Sequence, residues 1–554
     1  MKRSWVGWLL PLVALPLAGL LAAEQGTSAV GSLRAPAETV SALAVESSSS
    51  GAPSSGAPDE ELTSESASAR SSAGGLSSST CSGLDDIFFY LAGEMPPARI
   101  QRLAMSENLQ LACRITPACT RTLQKAGADA SLIHFLASSS AASQKSMPPN
   151  KQGRSATAVA ACNCNSAAAE IAILVRQKNL SAAEDKLHAW LQGGSNRAVA
   201  LFVLGTVLRR EERIDEAFDA LSDSIQLMPG LAETHAELSY NFYRGNDSDN
   251  ALAEARTALS IDPTNAEAYR YLGLAHYSDG RYEAALNAFD ESLQLEPNNA
   301  DVYFDMGVTQ RDKGDMRRAA IAYRHALALR PDFWQAHSNL GVVLRDEGKL
   351  DEAVVEYRTA LKLKPDEPSV RSNLGNTLCD KEDFDSAIVE LKTVYRQLPD
   401  WEGGHNCLAR AYMAKRDYPS AIRELRAAIV QNPAGAAEYR VLGQALLLTG
   451  QDDEAVTVLH KAVALNPESA LGHHYLGTAL VNTQDLAGAE KEFREALRLQ
   501  PSGQNHYSLA ACLMALNRYE EALGELEIAS RLDPNENLYR TRMQEAARMI
   551  TSTK

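Results

Sequence analysis

The chain has 554 residues, 70 acidic against 54 basic side chains, and a formal net charge of -16. That balance argues against a nucleic-acid partner, because phosphate binding depends on clustered Lys and Arg that release counterions. Eight cysteines are too few for this length to build a disulfide scaffold.

The N-terminus reads Met1-Lys2-Arg3, followed by an apolar run from Trp5 to Ala23 that closes on the small pair Ala22-Ala23. A positive start, an apolar core and small closing residues are the layout of a secretory signal peptide, so residues 1–23 are expected to direct export to the periplasm or beyond. The run also approaches the length of a membrane span, and an uncleaved inner-membrane anchor facing the periplasm is the alternative. Residues 24–80 are dominated by Ser, Ala, Gly and Pro, with almost no aromatic residue to seed a core. They are expected to be a disordered linker with a root-mean-square reach of about 40 Å. Over residues 81–138 apolar residues return at helical intervals (Ile87, Leu91, Ile100, Leu103, Leu123, Leu132, Phe135), which predicts three or four short helices in a small module. Through Leu84-Asp85-Asp86-Ile87 and Ala126-Gly127-Ala128 this stretch resembles a small helical module found beside repeat arrays in some bacterial envelope proteins. Residues 139–161 read as a second linker.

Five of the eight cysteines precede residue 165. In an oxidising compartment Cys113 and Cys119 are placed to close a small loop, and Cys81 to pair with Cys162 or Cys164; spacing alone leaves the connectivity open. Cys162-Asn163-Cys164 does not have metal-ligand spacing, and neither metal nor cofactor is expected.

Beyond residue 197 a period takes over. Ten prolines, from Pro229 and Pro263 to Pro501 and Pro534, recur every 34 residues, with a last interval of 33. A unit that short cannot form its own core and must stack on its neighbours. Apolar residues at helical spacing flank a turn that holds Gly280, Gly314, Gly348 or Gly450, so each repeat reads as two helices. The eighth position of the repeat is small throughout (Gly205, Ser239, Gly273, Gly307, Gly341, Gly375, Ala409, Gly443, Gly477, Ala510), and the twentieth is always alanine. A mid-helix glycine costs about 1 kcal/mol against alanine, so its recurrence demands closely approaching helices.

An aromatic or His, then Leu-Gly, an alanine in the second helix and a closing Pro is a pattern similar to the tetratricopeptide repeat. The resemblance spans residues 198–537 as ten repeats, with a degenerate repeat at 162–197 and a capping helix and tail at 538–554. It implies an all-α, right-handed solenoid of about ten to eleven helix pairs, whose first helices line a concave groove. The family's usual Trp is replaced by His235, His337, His405, His473 and His506 in five repeats, which read as packing or rim histidines rather than ligands.

Groove residues are expected at positions 2, 5, 6, 9 and 12 of each repeat. From the fifth full repeat onward these positions yield a polar, mildly basic stripe, and the peptide-binding candidates are Asn339, Asn373, Asn376, Asn406, Arg410, Arg440, Gln444 and His474. Amides offer donor and acceptor together, matching an extended main chain, and the arginines match carboxylates. Asn339 and Asn373 resemble the start of the asparagine ladder in the repeats of a sugar transferase, but Asp305, Cys407 and Val441 break it. The Lys and Asn set that clasps C-terminal carboxylates in some family members is not intact. Earlier repeats carry Glu237, Glu267, Asp301 and Asp305 beside Tyr240, Tyr243, Arg270, Tyr271 and Phe304, either a second partner site or rings buried in a tightened array.

No nucleophile elbow, phosphate loop, dinucleotide glycine run or His-Glu-x-x-His occurs, and His134, the only histidine of the cysteine-bearing module, has no evident catalytic partner. The expectation is a non-catalytic exported scaffold that binds extended protein or peptide segments. The alternative is an accessory subunit of a cell-envelope assembly or secretion machine.

Overall fold

The computed structural model describes residues 82–106, 111, 113–145, 162, 164, 166–193, 196–401 and 403–553. The expected export signal, the linker at 24–80, Cys81 and residues 146–161 lie outside the described residues. What is described is all-α: twenty-seven helices and no strand. It divides into two compact bodies, one ending at Pro331 and the other beginning at Asp332.

The first body opens with a module of four helices, α1 (Ser82–Ala92), α2 (Pro97–Ser106), α3 (Pro117–Ala126) and α4 (Ala130–Lys145). Thr116 starts α3, its hydroxyl accepting from the Cys119 amide at 3.2 Å, and Gly127 ends it in the left-handed conformation at φ 113°. Helix α4 runs to Lys145, past the expected boundary at 138. Five helix pairs follow: α5 (Ala167–Arg176) with α6 (Leu180–Leu191), α7 (Arg197–Arg210) with α8 (Ile214–Leu227), α9 (Ala232–Arg244) with α10 (Ser248–Ile261), α11 (Ala266–Ser278) with α12 (Tyr282–Leu295), and α13 (Ala300–Lys313) with α14 (Met316–Leu329).

The second body contains six more pairs: α15 (Trp334–Asp346) with α16 (Leu350–Leu363), α17 (Pro368–Asp380) with α18 (Phe384–Gln397), α19 (His405–Ala414) with α20 (Tyr418–Gln431), α21 (Ala436–Leu448) with α22 (Asp452–Leu465), α23 (Ala470–Asn482) with α24 (Leu486–Leu499), and α25 (Gly503–Ala515) with α26 (Tyr519–Leu532). Helix α27 (Asn537–Thr553) closes it by packing on α26, with Tyr539 and Ala546 buried.

The small eighth residue has a specific neighbour. A Cβ built at Gly273 would lie 2.4 Å from the Phe289 ring, at Gly307 2.5 Å from Tyr323, at Gly341 2.8 Å from Tyr357 and at Gly477 2.7 Å from Phe493. The large residue at position 24 of the second helix thus fills the space that the glycine leaves. The second repeat reverses the sizes: Ser239 stands at position 8, Ala255 at position 24, and the serine hydroxyl donates to the Ala251 carbonyl at 2.7 Å.

Within the first body, the module and the first repeats share one core, in which Ile87, Phe88, Phe89, Val199, Val203 and Leu221 are fully enclosed. Phe89 meets Trp190 edge-on at 5.1 Å between ring centroids. Two disulfides fasten the module, and they correct the expected pairing. Cys113 bonds to Cys162 and Cys119 to Cys164, not to each other. The reason is spatial. The segment just before α5 lies against the module, where the Cys162 amide donates to the Arg114 carbonyl at 3.0 Å, so each cysteine meets a partner from across the core.

Candidate binding face

A solenoid's ligand face is built by the exposed positions of its first helices. In the first full repeat positions 2, 5, 6 and 9 are Val199, Phe202, Val203 and Thr206, and all four are buried, while Arg209 at position 12 is half-buried. From Ala198 to Leu208 helix α7 is apolar but for Thr206 and buried on every side, because α1 packs over it. The Phe202 ring lies where a Cβ at Gly93 would fall, 2.3 Å away. Around this contact Asp86 accepts from Asn196 at 2.6 Å and Glu94 pairs with Arg210. Arg99 of α2 reaches Glu233 at 3.0 Å and Asp262 at 2.9 Å. The module therefore occupies this face of the first repeats.

The next repeats carry the Arg, Tyr and carboxylate cluster, and it is closed on itself. Arg209 pairs with Glu237 at 2.6 Å and lies 4.9 Å over the Tyr240 ring; the Tyr271 hydroxyl donates to Glu237 at 3.3 Å. Arg270 pairs with Asp305 at 2.7 Å, and Arg330 with Asp301 at 2.6 Å. Burial pushes the Asp305 carboxyl up to about 6 against the pull of Arg270. Tyr271 and Asp305 are themselves buried. Of the rings, Tyr271 is buried and Tyr240, Tyr243 and Phe304 are half-buried, while the charges of the cluster pair with one another along one repeat after the next.

The second body is different. The side-chain amides of Asn339 on α15, Asn373 and Asn376 on α17 and Gln444 on α21 are half-buried and make no hydrogen bond to the protein. Asn373 and Asn376 are three apart and share one helix face. Beside them Asp380, at the end of α17, accepts from Arg345 Nε at 2.8 Å and from Arg410 at 3.3 Å, leaving two guanidiniums against one carboxylate. Arg410 keeps half its side chain in solvent. Arg345 was not among the sequence candidates, although it stands at the twelfth position of its repeat, one of the positions expected to face the groove. Trp401 was also missed; its indole N–H donates to Ser372 at 3.2 Å and covers that hydroxyl.

Four of the expected stripe residues are already engaged. Asn406 donates to Glu438 at 2.8 Å, Arg410 holds Asp380, and Arg440 also has a protein partner. His474 is a correction: it is buried, with Nδ1 at 3.1 Å from Asn505 Oδ1. Burial drives its pKa down to about 4, so it is a neutral core residue rather than a groove contact. Asn505 of the next repeat and the Phe493 ring, 5.9 Å between centroids, lie against it, a long-range effect that position counting does not register.

The five histidines at the fourth position share one geometry. His235, His337, His405, His473 and His506 each place Nδ1 2.6 to 2.8 Å from the glutamate nineteen residues on. They tie the first helix of a repeat to its second, which makes them packing residues.

With this geometry in place, family models supply the comparison. TPR repeat models match residues 240–280 and 343–380, and tetratricopeptide repeat models match residues 266–299, 300–333, 408–470 and 476–537. The array is a tetratricopeptide repeat array. Arrays of such repeats bind protein partners, and this chain is a protein-binding repeat scaffold in that general sense. No curated protein sequence matches the chain.

Among solved structures, it is similar to MamA, with 26% identity over 29% of this chain and 95% of that one, at a TM-score of 0.26. It is also similar to PilF of Pseudomonas aeruginosa, with 21% identity over 37% and 93% of the two chains, at a TM-score of 0.34. YrrB, described as a tetratricopeptide repeat protein with an unusual peptide-binding site, is 23% identical over 36% and 99%, at a TM-score of 0.29.

Proposed function

We propose that this chain is a non-catalytic, exported scaffold that holds an extended polypeptide segment against the first-helix face of its second body. The observation that carries the reading is the run of unpaired amides at Asn339, Asn373 and Asn376 beside the Arg345–Asp380–Arg410 cluster. An extended main chain offers alternating N–H and C=O groups, and primary amides match both. The excess guanidinium favours a segment carrying carboxylates, which Arg binds in a two-pronged, charge-assisted geometry. Export is supported by the apolar N-terminal run and by two disulfides, which persist in oxidising compartments.

Titrating the full chain against an array of acidic and neutral extended peptides tests the reading. Acidic peptides are expected to bind more tightly, and Asn373→Ala combined with Arg410→Ala is expected to weaken that binding at least tenfold, about 1.4 kcal/mol. Equal affinity in the double variant would reject this face as the site.

A further inference from the structure

We propose that Cys379 and Cys407 form a reversible disulfide that joins neighbouring repeats at the face carrying Asn376 and Arg410. Cys379 lies in the last turn of α17 and Cys407 in the first turn of α19, and both are unbonded and buried in the structure. Cys379 Sγ is 3.3 Å from the Cys407 carbonyl oxygen, and Cys407 Sγ is 3.7 Å from the Gly375 carbonyl oxygen. Each thiol is thus directed at the other residue's helix. Cys512 also points across a repeat boundary, at the Leu486 carbonyl of α24 at 3.4 Å, but it meets no second cysteine there.

The surroundings assign the two sulfurs different parts. The neighbouring Cys407 side chain, with Arg410 and Arg345, lowers the Cys379 pKa against burial and the Asp380 carboxylate. The adjacent Cys379 side chain, together with burial, pushes the Cys407 thiol up. Cys379 is therefore the nucleophile. Its thiolate attacks a small-molecule disulfide, the oxidant; that S–S bond breaks, one oxidant sulfur leaves as thiolate, and a mixed disulfide forms on Cys379. Cys407 then attacks the Cys379 sulfur, releasing the second oxidant thiolate. Two electrons pass to the oxidant, and the two thiol protons end on the two released thiols.

Access requires α17 and α19 to part briefly. Helix α19 is a weak point for that, at 10 residues against 13 in α17, and it follows Gly403 and Gly404, both in the left-handed region.

The test is a peptide map of the folded full-length chain after incubation with glutathione disulfide, blocking with iodoacetamide and digestion. The expected result is a linked pair of peptides bearing Cys379 and Cys407, lighter by two hydrogens and separated by dithiothreitol, with Cys512 alkylated after unfolding. In the Cys407→Ser variant the expected product is a glutathione adduct on Cys379 that does not resolve. The proposal is overturned if both wild-type cysteines are alkylated after oxidation, or if an adduct persists on one while the other stays free. The map reads the linkage directly, whether or not this face binds a polypeptide.

Discussion

Two buried histidines respond to acid in opposite senses. His474 has a folded-state pKa of about 4, below the value near 6.5 of an unfolded chain. Between those values the unfolded chain takes up a proton that the folded chain refuses. His474 therefore contributes stability above about pH 6.5 that is lost as pH falls toward about 4, with a ceiling of about 3 kcal/mol. His235 behaves the other way. Burial pulls its pKa down, but the Glu254 carboxylate and the Pro229 carbonyl outweigh burial and raise it. Its contribution is complete below the unfolded value and is lost as pH rises through the folded one. Urea unfolding of the wild type and of His474→Gln at pH 7 and pH 4.5 checks the first claim. The variant is expected to lose less stability on acidification, and an unchanged difference would show that His474 is not buried neutral.

At the scale of the helix pair, the turn is the informative element. Its fifteenth residue is left-handed in every full repeat: glycine at 280, 314, 348 and 450, asparagine at 246 and 517, and Glu212, Glu382, Arg416 and Gln484 elsewhere. Lys178 takes the same conformation between α5 and α6 at φ 61°. A side chain in that region costs about 1 kcal/mol that glycine avoids. Arg416 sits at φ 59°, exposed, with no partner for its guanidinium. Arg416→Gly is accordingly expected to stabilise the second body by about 0.5 to 1 kcal/mol, while Arg416→Ala gains nothing. Thermal melts of both variants decide it; equal melting temperatures would mean that the turn is unstrained.

At the scale of the molecule, the first body is held by long-range links and the second by neighbour-to-neighbour packing. The disulfides of the first body span 49 and 45 residues, and in a chain-entropy account each stabilises by about 4 kcal/mol. A solenoid's stability is a sum of local terms, so breaking these bonds is felt mainly where they attach. Hydrogen exchange with and without dithiothreitol is expected to show α1 and α3 losing protection on reduction, with α20 to α26 unchanged. Loss of protection throughout the chain would contradict that local coupling.

What the sequence by itself determined was the repeating part. The proline interval, the helical spacing of apolar residues and the small eighth position are local patterns, and the same local physics acts in every repeat, so helix pairing and its turn were legible residue by residue. Val199, Phe202 and Val203 stand together at positions that are mostly polar in the other repeats, a cluster that fits a covered face. Only the tertiary structure decided what covers it. Helix α1 lies more than a hundred residues before Phe202, and no periodicity relates the two. The same holds for Cys113 with Cys162, for Arg99 with Glu233, and for His474 beneath Asn505. Each depends on which surfaces meet after the helices have formed, and such encounters are set by the shape of the assembled fold rather than by the spacing of residues along the chain.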